Sequence, residues 1–558
     1  MKSTVSSITK KFKKYKLEMN NDKMEDICRP VSFKFQPQQL FLRDYFKSSL
    51  SGKGLLIYHK IGAGKTCTAI TIAEQFKEKM NLVIVLPAAL IGNFKDELRG
   101  QCGGYLTDEE RKDLLSLSPQ DDLYKKILLA TDKRIDKHYT IYSYHKFIEL
   151  CGNNKIKLNN ALLIIDEIQN MISESGPFYT NLKKVIDKSD NKTRIILLSA
   201  TPMFDRPDEI ALTLNLLKGE NEVPTGPDFY SSFVKQIKDG EDIKYEIINK
   251  EKLAKFLQNK ISYYRGAQPQ SFPKTIFNIV KCKMEPFQYK SYRTIMDEET
   301  KGNFMGNDIL KLPTNFMLGP RMISNIAFPN KKIGEKGFAS LVGSNLKKHN
   351  IVNYSKKFYK ILNKINKAEG PTFIYSNFKE LGGIKSLIQY LEYHGYKNYK
   401  SFGEGKRRYA VWSGDEHHHV KEEIKYIFNK KENADGSKIK IILGSPSIKE
   451  GVSLLRVSQV HILEPYWNMS RMLQIIGRAV RFCSHKDMPK HRRQVEVFLY
   501  LSVFPGEKTI DEYVWNIAQK KQKLISKFET LLKENAIDCK LFYKRNVYKN
   551  EEPLKCAM

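Results

Sequence analysis

GLLIYHKIGAGKTCTAITIAEQF, residues 54–76, decides the fold. A short apolar run, LLIY (55–58), leads into a glycine-containing loop and then into an amphipathic stretch that opens on Lys65 and Thr66. Strand, loop and helix in that order make a cradle for phosphate. Gly62 and Gly64 let the backbone N–H groups around Ala63 turn inward, Lys65 adds a point charge for the β- and γ-phosphates, and Thr66 offers a hydroxyl to Mg²⁺. The general pattern has glycine at the first loop position, where this chain has His59. The plain alternative is a glycine-rich turn that holds no ligand; strand, GKT and helix all in register argue against it.

Outward from that loop, further short apolar runs follow at LVIVL (82–86), ALLII (161–165) and RIILL (194–198). Runs apolar almost throughout suit parallel strands covered on both faces. A second set lies much later, at TFIY (372–375), KIIL (440–443), VHIL (460–463) and VEVFLY (495–500). The expected class is therefore α/β, with two parallel-sheet lobes. Residues 1–30 read as a basic N-terminal tail, 31–218 as the first lobe and 219–350 as a mostly helical, irregular insertion. Residues 351–505 read as the second lobe and 506–558 as a C-terminal helical extension. In that extension TIDEYVWNIAQKKQKLISKFETLLKENA has apolar residues near the helical period.

Two carboxylates follow the third run of the first set, in LLIIDEIQN (162–170). The carboxyl end of a strand in an open α/β sheet is where ligands bind. Asp166 there is placed to hold a metal and Glu167 to orient a water as base. Such a pair alone also serves as a simple helix cap; the phosphate cradle upstream favours chemistry. After the next strand, Ser199-Ala200-Thr201-Pro202 puts small hydroxyl residues where they can respond to the γ-phosphate.

A third signal lies in residues 442–485, ILGSPSIKEGVSLLRVSQVHILEPYWNMSRMLQIIGRAVRFCSH. Gln474, Gly477, Arg478 and Arg481 fall at i, i+3, i+4 and i+7, which a helix would bring to one face. Two guanidiniums on one face suit the charge of a phosphoryl transition state. A solvated basic face is the ordinary alternative.

The chain has 558 residues, with 94 Lys and Arg against 62 Asp and Glu, a formal charge of +32. Such a surface attracts polyanions. A hydrophobic share of 41% excludes global disorder, and there is no apolar run of the roughly 18 residues a membrane span needs. Neither a signal peptide nor a nucleophile elbow is present. Lysines 10, 11, 13, 14 and 16 suit either a solvated tail or a nuclear or nucleic-acid-binding arm. Eight scattered cysteines, without a CxxC pair, read as reduced thiols. Trp467 reads as a core residue before a nucleic-acid contact. His417, His418 and His419 read as a solvated loop rather than a metal site.

In order, GAGKT, DEIQ, SATP, FIYSNF, GVSLL and QIIGRAVR resemble the motif series of superfamily 2 helicases and translocases, over residues 33 to 530. SATPMFDRPDEIALTLNLL, EPYWN and TIDEYVW resemble the Swi/Snf-type branch. PQQLFLRDYF, IYHKIGAGKTCTAI, the FIYSNF region and GRAVRFCSHKDMP are similar to the poxvirus-type group of nucleoside triphosphatase I and the early transcription factor small subunit.

The resemblance implies two RecA-like lobes and a nucleic-acid-dependent ATPase using ATP and Mg²⁺. It implies that Gln39, or its rival Gln38, reads adenine, that Gly62, Ala63, Gly64, Lys65 and Thr66 hold phosphate, and that Thr66 and Asp166 hold the metal. Gln474, Arg478 and Arg481 would complete the site, with Gly451 beside the nucleotide. Gln169, Ser199 and Thr201 would couple hydrolysis to movement, Gln169 standing where the motif often has His. Residues 87–94, 142–144, 376–378 and 445–451 would grip nucleic-acid phosphates. The implied partner is nucleic acid, double-stranded DNA before single strands or RNA, with viral RNA polymerase or early transcription factor subunits and no membrane. The implied setting is intracellular, in a viral factory or the virion. Two other readings stand beside this one: a strand-separating DNA or RNA helicase, and a non-catalytic basic docking subunit of a transcription complex.

Overall fold

The computed structural model describes residues 5–18, 23–29, 33–60, 62–117, 121–173, 176–219, 221–239, 242–299, 316–449, 452–548 and 550–557. The chain forms two compact units, Met1–Gln268 with Lys523–Met558, and Pro269–Gln522. Each is built on its own parallel sheet.

In the first unit β1 (Gly54–His59), β2 (Asn81–Leu86), β3 (Tyr139–Ser143), β4 (Ala161–Ile165) and β5 (Arg194–Ser199) follow one another with helices between them. A hairpin of β6 (Val234–Asp239) and β7 (Asp242–Ile247) intervenes before β8 (Ile261–Tyr264). The six-stranded sheet has the order β3-β2-β4-β5-β1-β8, all pairs parallel. Helices cover both faces, so β1 and β4 are buried at every residue. That is why these strands read as unbroken apolar runs. β1 lies between β5 and β8, so the loop that leaves it emerges from the interior of the sheet.

The second unit holds β9 (Lys274–Lys283), β10 (Thr372–Tyr375), β11 (Lys397–Asn398), β12 (Arg408–Trp412), β13 (Ile441–Gly444), β14 (Gln459–Ile462) and β15 (Gln494–Val503). Its seven-stranded sheet has the order β11-β12-β13-β10-β14-β15-β9, again parallel throughout. The eight strands expected from apolar runs are all present within one to three residues of the expected ends. Among the described residues no helix is long and apolar enough to cross a membrane.

The structure divides the chain differently from the expected domains. Residues 219–350 are not one insertion: β8 completes the first sheet and β9 forms an edge of the second. The C-terminal extension is likewise shared, because the boundary at Gln522 falls inside the helix Ile510–Glu534. Nor are residues 5–17 a solvated tail. Ile8, Phe12, Tyr15 and Leu17 join the core of the first unit with Phe41, Tyr45, Leu541 and Phe542. Their spacing gives an amphipathic face, and the lysines occupy the opposite one. The backbone N–H of Leu17 donates to the Leu541 carbonyl at 3.0 Å, which fixes both ends of the chain in one unit.

The cysteines are also corrected. Cys67 is bonded to Cys102, with Cα atoms 5.4 Å apart, and Cys539 to Cys556, at 5.7 Å. Packing of helix Lys65–Ala73 against Ile91–Arg99 brings the first pair together across 35 residues of sequence, a distance that a search for CxxC spacing does not reach. Cys151 and Cys282 are free and buried.

Phe12 is only 5% exposed and meets the Phe41 ring edge-on at 5.4 Å. Phe12→Ala should therefore destabilise the first unit by about 3–5 kcal/mol, whereas Lys13→Gln should change stability by less than about 0.5 kcal/mol. Urea unfolding of the full chain measures both.

Candidate functional site

The loop after β1 is shaped by two left-handed glycines. Gly62 has φ +80° and Gly64, which caps helix Lys65–Ala73, has φ +71°. Residues with a Cβ are strained there. Space makes a second demand at Gly64, since a Cβ would lie 2.9 Å from Gln39 Nε2. The Gln39 side chain is pinned by its own helix, its Oε1 accepting from the Gln36 N–H at 2.8 Å. It is thus Gln39 whose amide is set against the loop. Ala63 is buried, and Lys65 and Thr66 are half-buried at the first turn of the helix. Among the described residues Lys65 makes no ion pair, which leaves its ammonium for an anion; Ile61 lies outside them.

Asp166 and Glu167 follow β4 directly. The Asp166 backbone N–H donates to the Val85 carbonyl at 2.9 Å, extending the pairing with β2, and its carboxylate is 7% exposed. Burial, and next the charge of Glu167, push the Asp166 carboxyl up to about 7 against the pull of Lys65. Lys65 therefore belongs electrostatically to the same site, from the neighbouring loop. Glu167 has φ +51°, a left-handed conformation costly for a residue with a side chain. Tyr144 holds this turn: its hydroxyl donates to the Asp166 carbonyl and, at 2.9 Å, to the Glu167 carbonyl. Sequence reading assigned Tyr142 to Tyr144 to a phosphate grip on the surface, but Tyr144 is buried and its hydroxyl is committed to this backbone. Its role was hidden because β3, with mixed polar and aromatic residues, gives no strong strand signal.

The turn is joined to the next strand by a chain of side chains. Gln169 Nε2 donates to a Glu167 carboxylate oxygen, and Gln169 Oε1 accepts from Ser199 Oγ at 2.6 Å. Ser199 Oγ in turn accepts from the Thr201 N–H at 3.0 Å. An amide can donate at one end and accept at the other without a change of protonation, which is what position 169 requires. The Thr201 hydroxyl is buried and has no hydrogen-bond partner among the described residues.

In the second unit, Gln474 and Arg478 lie one turn apart on helix Met469–Ala479. Arg481 does not share that helix, as its spacing had suggested. The helix stops at Ala479, where Ser484 Oγ donates to the Ala479 carbonyl at 3.3 Å and satisfies its end. The two guanidiniums nonetheless converge, Arg478 at 3.5 Å and Arg481 at 3.1 Å from the carbonyl of Val452. Gly451 itself lies outside the described residues. One surface expected to meet nucleic acid is engaged inside this unit: Ser376 is fully buried, with its hydroxyl on Glu464 at 2.9 Å. Trp467 is a core residue, as expected, 4% exposed and stacked on Tyr466. Glu464, the acidic residue of EPYWN, also accepts from Asn325 Nδ2 at 2.9 Å, so it organises the turn after β10 from below.

Comparison with known proteins identifies the family. A SNF2-related domain matches residues 14–361 and a helicase conserved C-terminal domain matches residues 355–483. The chain is 49% identical to the "Putative ATP-dependent RNA helicase R563" of Acanthamoeba polyphaga mimivirus, over 98% of this chain and 96% of that one. It is 28% identical to the "Termination factor NPH-I homolog" of African swine fever virus (isolate Tick/Malawi/Lil 20-1/1983), over 87% of this chain and 76% of that one.

The bond between Gln169 and Ser199 is testable by a double-mutant cycle. Gln169→Ala and Ser199→Ala, unfolded in urea singly and together, should show a coupling of about 0.5–3 kcal/mol. Tyr144→Phe should lower stability by about 1–3 kcal/mol by removing the hydroxyl that donates to the buried Asp166 carbonyl; the Glu167 carbonyl keeps the Asn170 N–H at 3.0 Å.

Proposed function

The chain belongs to the SNF2-related helicase family and is an ATP-dependent nucleic-acid motor, and from that premise we propose that it moves along double-stranded DNA during viral transcription. The observation that carries the assignment of chemistry is the half-site in the first unit. There a left-handed glycine loop brings Lys65 within electrostatic reach of the buried Asp166, beside the half-buried Glu167 at the end of β4.

In this reading the N–H groups around Gly62, Ala63 and Gly64, with Lys65, would hold the β- and γ-phosphates of ATP, and Gln39 would read adenine. The metal fits the residues present: Asp166 is buried beside a second carboxylate, a like-charge pair that a cation relieves, and Thr66 adds a neutral oxygen, an all-oxygen set suited to Mg²⁺. Mg²⁺ bound there supplies neutralisation of the phosphate oxygens. Glu167 would orient the attacking water. Arg478 and Arg481, with Gln474 and Gly451, would meet charge on the γ-phosphate, Arg481 acting as the arginine finger. Gln169, Ser199 and Thr201 would report the state of that phosphate, because Glu167 and Ser199 are bonded through one amide.

The charge of +32 supports a polyanion track. The African swine fever virus relative's name, a termination factor homolog, supports work beside a viral RNA polymerase or its early transcription factors. The site of action would then be the viral factory of the host cytoplasm, or the virion. A second reading, RNA as the track, is favoured by the name of the mimivirus relative.

ATPase assays with double-stranded DNA, single-stranded DNA and RNA should show the greatest stimulation by double-stranded DNA; stimulation by RNA alone would establish the second reading instead. Lys65→Ala and Glu167→Gln should each cut turnover by about 10²–10³-fold or more and Arg481→Ala by about 10³–10⁵-fold, with DNA binding near that of the parent. Retained turnover in Lys65→Ala would remove the assigned site.

A further inference from the structure

Three successive residues at the root of the phosphate loop are each tied to the last 36 residues of the chain, Lys523–Met558, which belong to the first unit. Tyr58 Oη donates to Glu529 Oε1 at 2.7 Å, and Lys60 Nζ lies 3.3 Å from the same oxygen. Between them, His59 Nε2 is 2.9 Å from Ser262 Oγ on β8, and the Ser262 hydroxyl donates to Asp538 Oδ2. The other Asp538 oxygen accepts from the Tyr263 N–H at 2.9 Å, and the Ile537 N–H donates to the Ile261 carbonyl at 2.9 Å. His59, Ser262 and Asp538 are all fully buried.

Burial pushes the Asp538 carboxyl up to about 7. With that carboxyl ionised, Ser262 gives it its one hydroxyl proton, so Nε2 carries the imidazole proton and donates to Ser262. Burial, with the nearby charge of Lys65, pushes the His59 pKa down to about 3, so the ring is neutral and Nδ1 is a bare acceptor. That Nδ1 is buried and has no hydrogen-bond partner among the described residues. Glycine at this position would avoid the desolvation cost of a buried, unmatched polar atom. Packing alone accounts for neither the imidazole nor its hydroxyl–carboxylate support, since an apolar side chain fills space without them.

We propose that His59 is a positioning residue for the phosphate loop, held by Ser262 and Asp538, so that the C-terminal segment sets the loop's affinity for nucleotide. Glu529 fixes the flanking residues Tyr58 and Lys60 from the same segment. This rests on the reading of residues 62–66 as the ATP site.

The test uses the full chain and a fluorescent ATP analogue, mant-ATP, with Mg²⁺, so that affinity is read without turnover. His59→Gly, Ser262→Ala and Asp538→Asn should each weaken mant-ATP binding about tenfold, the worth of one well-placed hydrogen bond. The ATPase KM should rise in parallel, with kcat within about twofold. The double variant His59→Gly/Ser262→Ala should bind no more weakly than His59→Gly alone, because Ser262 acts through His59. His59→Gln, which keeps a donor toward Ser262, should recover most of the loss. Circular dichroism and thermal melts confirm folding; Glu529→Gln, on a less buried side chain, provides a second route should Asp538→Asn fail to fold, and should weaken binding in the same direction.

Affinity within about twofold of the parent in folded His59→Gly and Ser262→Ala, with Lys65→Ala abolishing binding, overturns this inference and leaves the ATP site standing. Additive losses in the double variant also overturn it. A parent chain that does not bind mant-ATP overturns both.

Discussion

Two carboxylates set side by side at the buried end of a strand are the demand that the surrounding first unit answers. Asp166 has little solvent to dilute its charge, and Glu167 adds repulsion from the next residue. Lys65 opposes that repulsion from one side. On the other, Gln169 takes a Glu167 oxygen, and the hydroxyl of Tyr144 fixes the carbonyls of a turn that the backbone would otherwise relax. The strain at Glu167 and the repulsion at Asp166 are both tolerable only because the parallel sheet and its helices hold the ends of β1 and β4 rigidly. A site arranged in this way is prepared for positive charge before any ligand arrives.

The second unit solves a related problem with the opposite sign. Arg478 and Arg481 converge on one backbone carbonyl, that of Val452. Below the turn after β10, charge is matched in the buried interior: Lys357 meets Asp511 at 2.7 Å, and Asn325 Oδ1 and the Leu463 carbonyl accept from the same ammonium at 2.9 Å. A buried pair of this kind specifies geometry more than it adds stability.

Much of this was legible from sequence. Apolar runs marked the inner strands because both faces are covered, and GKT and DE marked the turns that leave β1 and β4. What escaped did so for physical reasons. β8 and β9 carry polar and aromatic residues, so no run betrayed that the presumed insertion completes both sheets. The lysines near the N-terminus masked the spacing of Ile8, Phe12 and Tyr15. Arg481 was placed on a helix that Ser484 ends early, and Tyr144 and Ser376 face inward through tertiary contacts with no local signature. The cysteine pairs followed the same rule: proximity came from helix packing, not from spacing.

The first unit is assembled from both ends of the chain, since Ile8 and Phe12 share a core with Leu541 and Phe542. During synthesis the ribosome releases residues 1–268 long before it reaches the segment that closes their hydrophobic core. The nascent lobe must therefore wait, partly open and in need of protection from aggregation, while the whole of the second unit is translated and folds. A product that stops before Ile537 would lack Leu541 and Phe542 and leave the core of the first unit open, so an incomplete message yields no finished first unit.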